Sequence, residues 1–155
     1  MYFNNNLLPK KSIKKVKLND YLEVEEFSFN NNEIKVFDNI NYTIVLKGFS
    51  DNSISELAIL FFNTQGERVS ILDLRHTDLF TISKTEGRVT IEGVIEAISL
   101  IEGQYNIGIY VSSKLCTGNF LDLITISINA NDLETAPYPK NVRGGVCLQN
   151  NFKIR

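Results

Sequence analysis

The sequence predicts an all-β fold, an antiparallel β-sandwich of the Ig-like or jelly-roll Greek-key type. Three observations support this: apolar and polar residues alternate along several short segments, turn-forming residues separate those segments, and no helical period lasts ten residues. The chain has 155 residues, of which 43% are hydrophobic, which suffices for one core. We therefore expect a single β-sandwich domain over residues 12–155, preceded by a loosely ordered lead of residues 1–11.

The amino-terminal third contains one weak and one clear strand pattern. Five lysines crowd residues 10–17, and the apolar residues from Ile13 to Leu18 predict only a short edge strand or lead-in. This basic segment fits a solvated strand face, and it also fits attraction to an anionic membrane surface. Residues 42–47 alternate after asparagine-rich turns, which predicts a half-buried strand.

The middle of the chain predicts a hairpin and then an amphipathic strand. Residues 57–63 and 68–74 flank the sequence Thr-Gln-Gly-Glu, in which Gly66 can adopt the positive φ of a tight turn. We expect these two segments to pair antiparallel. Residues 88–96 alternate most regularly between apolar and polar side chains, so their polar face should meet water.

A corner and two more strands complete the predicted sandwich. The segment from Leu100 to Tyr105 is typical of a tyrosine corner, where the chain crosses between sheets and the tyrosine hydroxyl bonds back to the preceding backbone. Leu100 would plug the open end of the core. Residues 104–112 and 120–130 then predict a hairpin. The alternation places nine residues in one core: Ile44, Ile91, Ile95, Leu100, Tyr105, Ile107, Ile109, Ile126 and Ile128.

The carboxy-terminal part predicts a strand that two copies of the chain exchange. Pro137 and Pro139 interrupt the sheet, and Gly144-Gly145 precedes a last apolar segment that reaches Ile154. Because an unpaired apolar strand seeks another edge, we expect a homodimer in which this segment pairs with the partner's sheet. The competing arrangement is that the strand completes the sandwich of its own chain.

Composition and motifs do not favour catalysis, cofactor binding or nucleic-acid binding. The net charge is −2, with 16 basic and 18 acidic residues, so no strong positive field favours a polyanion. Neither a phosphate-binding loop nor a Gly-x-Ser-x-Gly elbow occurs, and a single histidine with two distant cysteines indicates no metal site. Glu92 and Glu96 would lie about 14 Å apart on one strand, beyond the roughly 5 to 9.5 Å of glycosidase carboxylates. We expect a non-enzyme without a cofactor.

Hydropathy predicts a soluble chain that is not exported. The longest apolar runs are about six residues, whereas a membrane span needs about 20. The first eleven residues contain no apolar stretch of signal-peptide length.

An ordered series of segments resembles the carbohydrate-binding carboxy-terminal domain of ATP-binding subunits in bacterial O-antigen and related polysaccharide ABC transporters, the Wzt type. The segments are Val36–Ile40, Leu57–Val69, Leu100–Tyr105, Phe120–Leu123 and Gly144–Leu148. This resemblance implies a non-catalytic sandwich that recognises the end of a lipid-linked glycan at the cytoplasmic face of the inner membrane. It also implies two copies, a transporter permease and a nucleotide-binding domain as partners. The chain carries no such nucleotide-binding domain, so we expect an isolated domain or a stand-alone relative.

Two sets of polar residues are candidates for glycan binding. Asn106, Tyr110, Thr125 and Ser127 fall on the outward face of the second hairpin, if Tyr110 lies opposite Leu123. In that register Gly108 leaves a dent between Asn106 and Tyr110. Because the chain has no tryptophan, Tyr110 would supply the flat surface for a sugar ring. An ordinary solvated sheet face explains the same pattern.

The second set follows the strand that begins at Arg68. Arg75 and His76 end this strand, and an arginine there could hold a phosphate or carboxylate substituent of a glycan. A charged loop without a ligand explains these residues equally. The alternative function for the whole chain is a structural or protein-interaction sandwich, such as an adhesin or an assembly module.

Overall fold

Two β-sheets packed face to face make up the computed structural model of this chain. The structure describes residues 12–31, 33–48, 52–75, 80–82, 87–130, 144–148, 151 and 153–154. These residues form ten strands and no helix, and so contain no helix long and apolar enough to span a membrane. The predicted all-β sandwich is confirmed.

The strands divide between a four-stranded and a six-stranded sheet. In chain order they are β1 (Ser12–Lys17), β2 (Leu22–Phe29), β3 (Ile34–Lys35), β4 (Ile40–Gly48), β5 (Asn52–Phe62), β6 (Arg68–Asp73), β7 (Phe80–Ile82), β8 (Arg88–Ile95), β9 (Gly103–Ser113) and β10 (Thr117–Asn129). The first sheet has the order β1-β2-β4-β8, and the second has the order β3-β10-β9-β5-β6, with β7 also paired to β5. Every pair is antiparallel except the short parallel pair of β3 with β10.

The core lies between the sheets and follows the predicted alternation. Seven of the nine predicted core residues are buried: Ile44, Leu100, Tyr105, Ile107, Ile109, Ile126 and Ile128. Ile91 and Ile95 pack against this core but are only partly buried. They lie on β8, which ends the four-stranded sheet and therefore has a paired neighbour on one side only.

The predicted turn and corner are both present. β5 and β6 pair antiparallel, and Gly66 adopts φ +79° in the turn between them. The Asn63 side chain accepts hydrogen bonds from the backbone N–H groups of Gln65 (3.0 Å) and Glu67 (2.9 Å), which fixes the turn. The Tyr105 hydroxyl donates to the carbonyl oxygen of Ile101 at 2.7 Å, as a tyrosine corner requires.

The sequence pattern missed the second strand, β2. This strand is buried at Leu22, Val24, Phe27 and Phe29, and it pairs with β1 on one side and β4 on the other. A bulge between Val24 and Glu26 shifts the inward phase by one residue, so the apolar positions do not keep a period of two. The lead-in predicted near Ile13 is the edge strand β1.

The carboxy-terminal segment begins beside the crossover between β8 and β9 of its own chain. Val146 forms an antiparallel bridge with Leu100, and the Cys147 N–H donates to the carbonyl oxygen of Ser99 at 2.6 Å. Both contacts are to the crossover segment between β8 and β9, so the described residues 144–148 extend neither sheet. The side chains of Leu148 and Ile154 are 84% and 91% exposed. Pro137 and Pro139, on which part of the exchange prediction rests, lie outside the described residues.

Candidate functional site

The outer face of the six-stranded sheet carries the predicted site residues in successive rows across the strands. One row runs from Asp73 on β6 through Ala58 on β5 to Tyr110 on β9. The next row runs from Ile71 through Leu60 to Gly108, and a third joins Phe62, Asn106 and Thr125. Ala58 and Leu60 are buried although they do not belong to the central core, so this face has an apolar floor of its own.

Tyr110 and Arg75 come together at the first row, although the sequence placed them in separate sets. The Tyr110 hydroxyl donates a hydrogen bond to Glu56 Oε2 at 2.9 Å. Arg75 Nη1 lies 3.6 Å from Glu56 Oε1, so the carboxylate of Glu56 links the two residues. With Asp73, Ile71 and Ala58 these side chains line a surface cavity of about 210 Å³.

Arg75 is held mainly by Asp73. Its Nη2 donates to Asp73 Oδ2 at 2.6 Å, its Nε lies 2.9 to 3.0 Å from both carboxylate oxygens, and its backbone N–H donates to Asp73 Oδ1. These hydrogen bonds lower the pKa of the Asp73 carboxyl and raise the pKa of the Arg75 guanidinium. Both groups are therefore charged at neutral pH. The hydrogen bond to Glu56 raises the pKa of the Tyr110 hydroxyl, which keeps it neutral.

The predicted register of the second hairpin is wrong. Tyr110 pairs with Asn119 rather than Leu123, and Asn106 pairs with Thr125 rather than Ser127. The turn lies at residues 114–116, and three residues of β10, 121–123, lie opposite the single residue Gly108. Asp122 adopts φ +55° in this bulge. The faces are nevertheless as predicted, because two additional residues leave the alternation unchanged.

The predicted dent at Gly108 is also absent. Gly108 is buried, and a β-carbon built on it would lie 2.6 Å from the Phe120 carbonyl oxygen and 3.1 Å from the Leu121 Cα. The β10 bulge therefore covers this glycine. The open space on the face lies one row away, beside Tyr110.

The remaining predicted residues lie farther along the sheet. Thr125 Oγ1 donates to Asn106 Oδ1 at 3.2 Å in the third row, and Ser127 lies beyond it, opposite Gln104. Tyr110 and Asn106 are four positions apart on β9, about 13 Å along the strand, and the β10 bulge over Gly108 lies between them. His76 lies outside the described residues.

Sequence reasoning missed Glu56 and Asp73. Asp73 precedes Arg75 by two positions, and β5 pairs Ala58 with Asp73, so the hairpin prediction contained the signal for this ion pair. Glu56 was hidden because the following residues, 57–62, are apolar on both faces of the strand. Among the described residues, no three His, Cys, Asp or Glu side chains are grouped so that they could hold a metal ion.

Comparison with solved structures supports the fold at low sequence identity. The chain is similar to the C-terminal domain of Wzt, with a TM-score of 0.67 and 9% identity over 94% of this chain and 89% of that one. The likeness to a DNA-bound alkylpurine DNA glycosylase AlkC of Pseudomonas fluorescens is weak, with a TM-score of 0.44 and 12% identity over 65% of this chain and 30% of that one. The likeness to a family 123 glycoside hydrolase of Clostridium perfringens is equally weak, with a TM-score of 0.42 and 15% identity over 63% of this chain and 21% of that one. No protein-family model and no curated protein matches the chain. The chain has the fold of the Wzt C-terminal domain.

Proposed function

We propose that this domain is a non-catalytic glycan-recognition module of a polysaccharide ABC transporter, which binds the terminus of a lipid-linked, O-antigen-like glycan before export. The Wzt-like fold supports the transporter context. The site would be the outer face of the six-stranded sheet, with Tyr110 at one end and Asn106, Thr125 and Ser127 farther along the strands. The domain would act at the cytoplasmic face of the inner membrane, beside a permease and a nucleotide-binding domain.

The single observation that carries the proposal is the cavity beside Tyr110. A sugar needs a flat apolar surface for its C–H groups and polar partners for its hydroxyls. The half-buried ring of Tyr110 and the apolar Ala58 and Ile71 offer the first, and the carboxylates of Glu56 and Asp73 offer the second. The cavity is open at the surface, so it can receive the end of a long chain.

The contacts of Asp73 suit a binding role rather than that of a catalytic acid. A glycosidase needs one carboxylic acid that stays protonated at its working pH, which requires a raised pKa. Arg75 instead lowers the pKa of the Asp73 carboxyl, because its hydrogen bonds favour the charged form. Asp73 is thus suited to accept hydrogen bonds from a ligand rather than to donate a proton to a leaving group.

Replacement of Tyr110 by alanine is expected to weaken glycan binding about tenfold or more, the loss that accompanies about 1.4 kcal/mol of binding free energy. The free energy of unfolding should change by no more than about 1 kcal/mol, because the side chain lies outside the core. Binding is measured by titration against an array of bacterial O-antigen and capsular glycans, and stability by denaturation.

Tyr21→Ala is the matched control for this variant, since Tyr21 is 46% exposed in the turn between β1 and β2. It should bind as the unmodified chain does. A Tyr110→Ala variant that binds normally but unfolds more readily would contradict the site and indicate a structural role for the ring.

We also propose that the domain is a homodimer through exchange of its carboxy-terminal segment. Leu148 and Ile154 are exposed in the single chain, which supports burial against another copy. Gly144 adopts φ +74°, a conformation that glycine adopts without steric cost, so it suits a hinge. The same exposed side chains favour the second candidate function, a protein-interaction sandwich.

Light scattering of the intact chain and of a truncation ending at Arg143 tests this assembly. We expect a dimer at tens of micromolar for the intact chain and a monomer for the truncation. A monomeric intact chain would refute the dimer. A truncation that remains dimeric would refute exchange of the segment, because the dimer would then form through another surface.

A further inference from the structure

The guanidinium of Arg75 already has carboxylate partners on two sides. Asp73 takes its Nε and Nη2, and Glu56 lies 3.6 Å from its Nη1. A phosphate or carboxylate on a ligand could pair with Arg75 either by displacing Asp73 from Nε and Nη2 or by binding the Nη1–Nη2 edge beside Glu56. In both positions the incoming negative charge would lie next to a carboxylate of the chain.

The charge of the cavity opposes an anion as well. Its described lining contains two carboxylates, Glu56 and Asp73, and one guanidinium, so its formal charge is −1. No lysine or second arginine is among these lining residues. The whole chain carries a net charge of −2, so its long-range field does not attract anions either.

The polar atoms that face a ligand are mostly hydrogen-bond acceptors. A carboxylate oxygen accepts more than one hydrogen bond, so Glu56 Oε2 keeps acceptor capacity while it binds the Tyr110 hydroxyl. Asp73 likewise keeps lone pairs beyond those that Arg75 uses. Groups that donate hydrogen bonds, the hydroxyls and ammonium groups of sugars, match this arrangement.

We infer that the cavity selects a glycan end group that donates hydrogen bonds and carries no negative charge, a neutral or amine-bearing sugar rather than a phosphorylated or acidic one. This inference rests on the proposed glycan-binding function. It reverses the role that the sequence alone indicated for Arg75, because Arg75 now serves to position Glu56 and Asp73 as acceptors.

The test compares amine-bearing, neutral and acidic oligosaccharides on the intact chain. Chitosan oligosaccharides present free amines, their N-acetylated forms are neutral, and oligogalacturonates present carboxylates. An array that adds neutral, amino and phosphorylated forms of bacterial glycan termini widens the set. At an ionic strength of about 20 mM, we expect amine-bearing or neutral forms to bind about tenfold more tightly than acidic forms. The difference in affinity between charged and neutral forms should shrink as the salt concentration rises.

Two variants locate the selectivity. Glu56→Gln should weaken binding of the amine-bearing form about tenfold, because it removes one charge-assisted hydrogen bond. Asp73→Asn should narrow the preference against acidic glycans, because it frees Arg75. Glu92→Gln, an exposed carboxylate on the other sheet, makes the same change in net charge and should leave the preference unaltered.

The outcomes separate this inference from the function on which it rests. Tighter binding of acidic or phosphorylated forms would overturn the inference and leave glycan recognition in place. Equal effects of Glu56→Gln and Glu92→Gln would overturn it too, because the preference would then come from net charge alone. Failure of every probe on the array to bind would overturn the inference together with the proposed function.

Discussion

Leu100→Ala is expected to lower the free energy of unfolding by about 2 to 5 kcal/mol, the range for truncation of a buried leucine. Leu100 is only 6% exposed, and it lies where the chain crosses from β8 in one sheet to β9 in the other. It bridges Val146 and lines a cavity of about 250 Å³ with Phe61 and Ile98. Removal of its side chain would enlarge that cavity at the end of the core.

The matched control is Leu148→Ala, which makes the same change at a leucine that is 84% exposed. In the monomer it should alter stability by no more than about 0.5 kcal/mol. The chain has no tryptophan, so unfolding is followed by far-ultraviolet circular dichroism in a denaturant titration, at a concentration where light scattering finds monomers. Equal midpoints for Leu100→Ala and the unmodified chain would refute the role of Leu100 as a plug.

The faces of most strands could be predicted because a period of two directly encodes which side chains point inward. Ile44 on β4, Ile107 on β9 and Ile126 on β10 are buried as that period requires. The tyrosine corner was equally local, since Tyr105 bonds to a carbonyl only four residues earlier. Such features depend on neighbours in sequence, and the sequence therefore contains them.

The register of the second hairpin could not be predicted, for a physical reason. The bulge on β10 places residues 121–123 opposite Gly108, and this addition of two residues keeps each side chain on its predicted face. The alternation of apolar and polar residues therefore does not reveal this bulge. The opposite holds for β2, where the bulge beside Glu25 shifts the phase by one and hides a buried strand.

The candidate site depends on contacts between strands that are far apart in sequence. The hydroxyl of Tyr110 reaches Glu56, 54 positions earlier, and only the pairing of β5 with β9 brings them together. The sequence could assign Tyr110 to an outward face, but it could not supply the partner. For the same reason it offered an anionic group as a candidate ligand of Arg75, and it could not show that the fold brings Glu56 to Arg75 beside Asp73.

Gly108→Ala should lower the free energy of unfolding by about 1 to 3 kcal/mol, the usual cost of forcing an extra carbon into a packed site. The added β-carbon would meet the Phe120 carbonyl oxygen at 2.6 Å and the Leu121 Cα at 3.1 Å. Both are backbone atoms, so relief requires the β10 bulge to move rather than a side chain to rotate. Because Gly108 lies in the row beside Tyr110, that movement should also weaken glycan binding.

Gly118→Ala in the same hairpin is the control for this substitution. A β-carbon there would have only the Phe120 ring nearby, at 3.8 Å, an ordinary contact. With room for the methyl group, alanine should stabilise the chain by a few tenths of a kcal/mol or leave it unchanged, since it reduces the entropy of the unfolded state. The two variants make the same change on paired strands and differ in what faces the new carbon. Equal denaturation midpoints for Gly108→Ala and Gly118→Ala would show that the bulge does not press on Gly108, and the space over that glycine would then be open to a ligand.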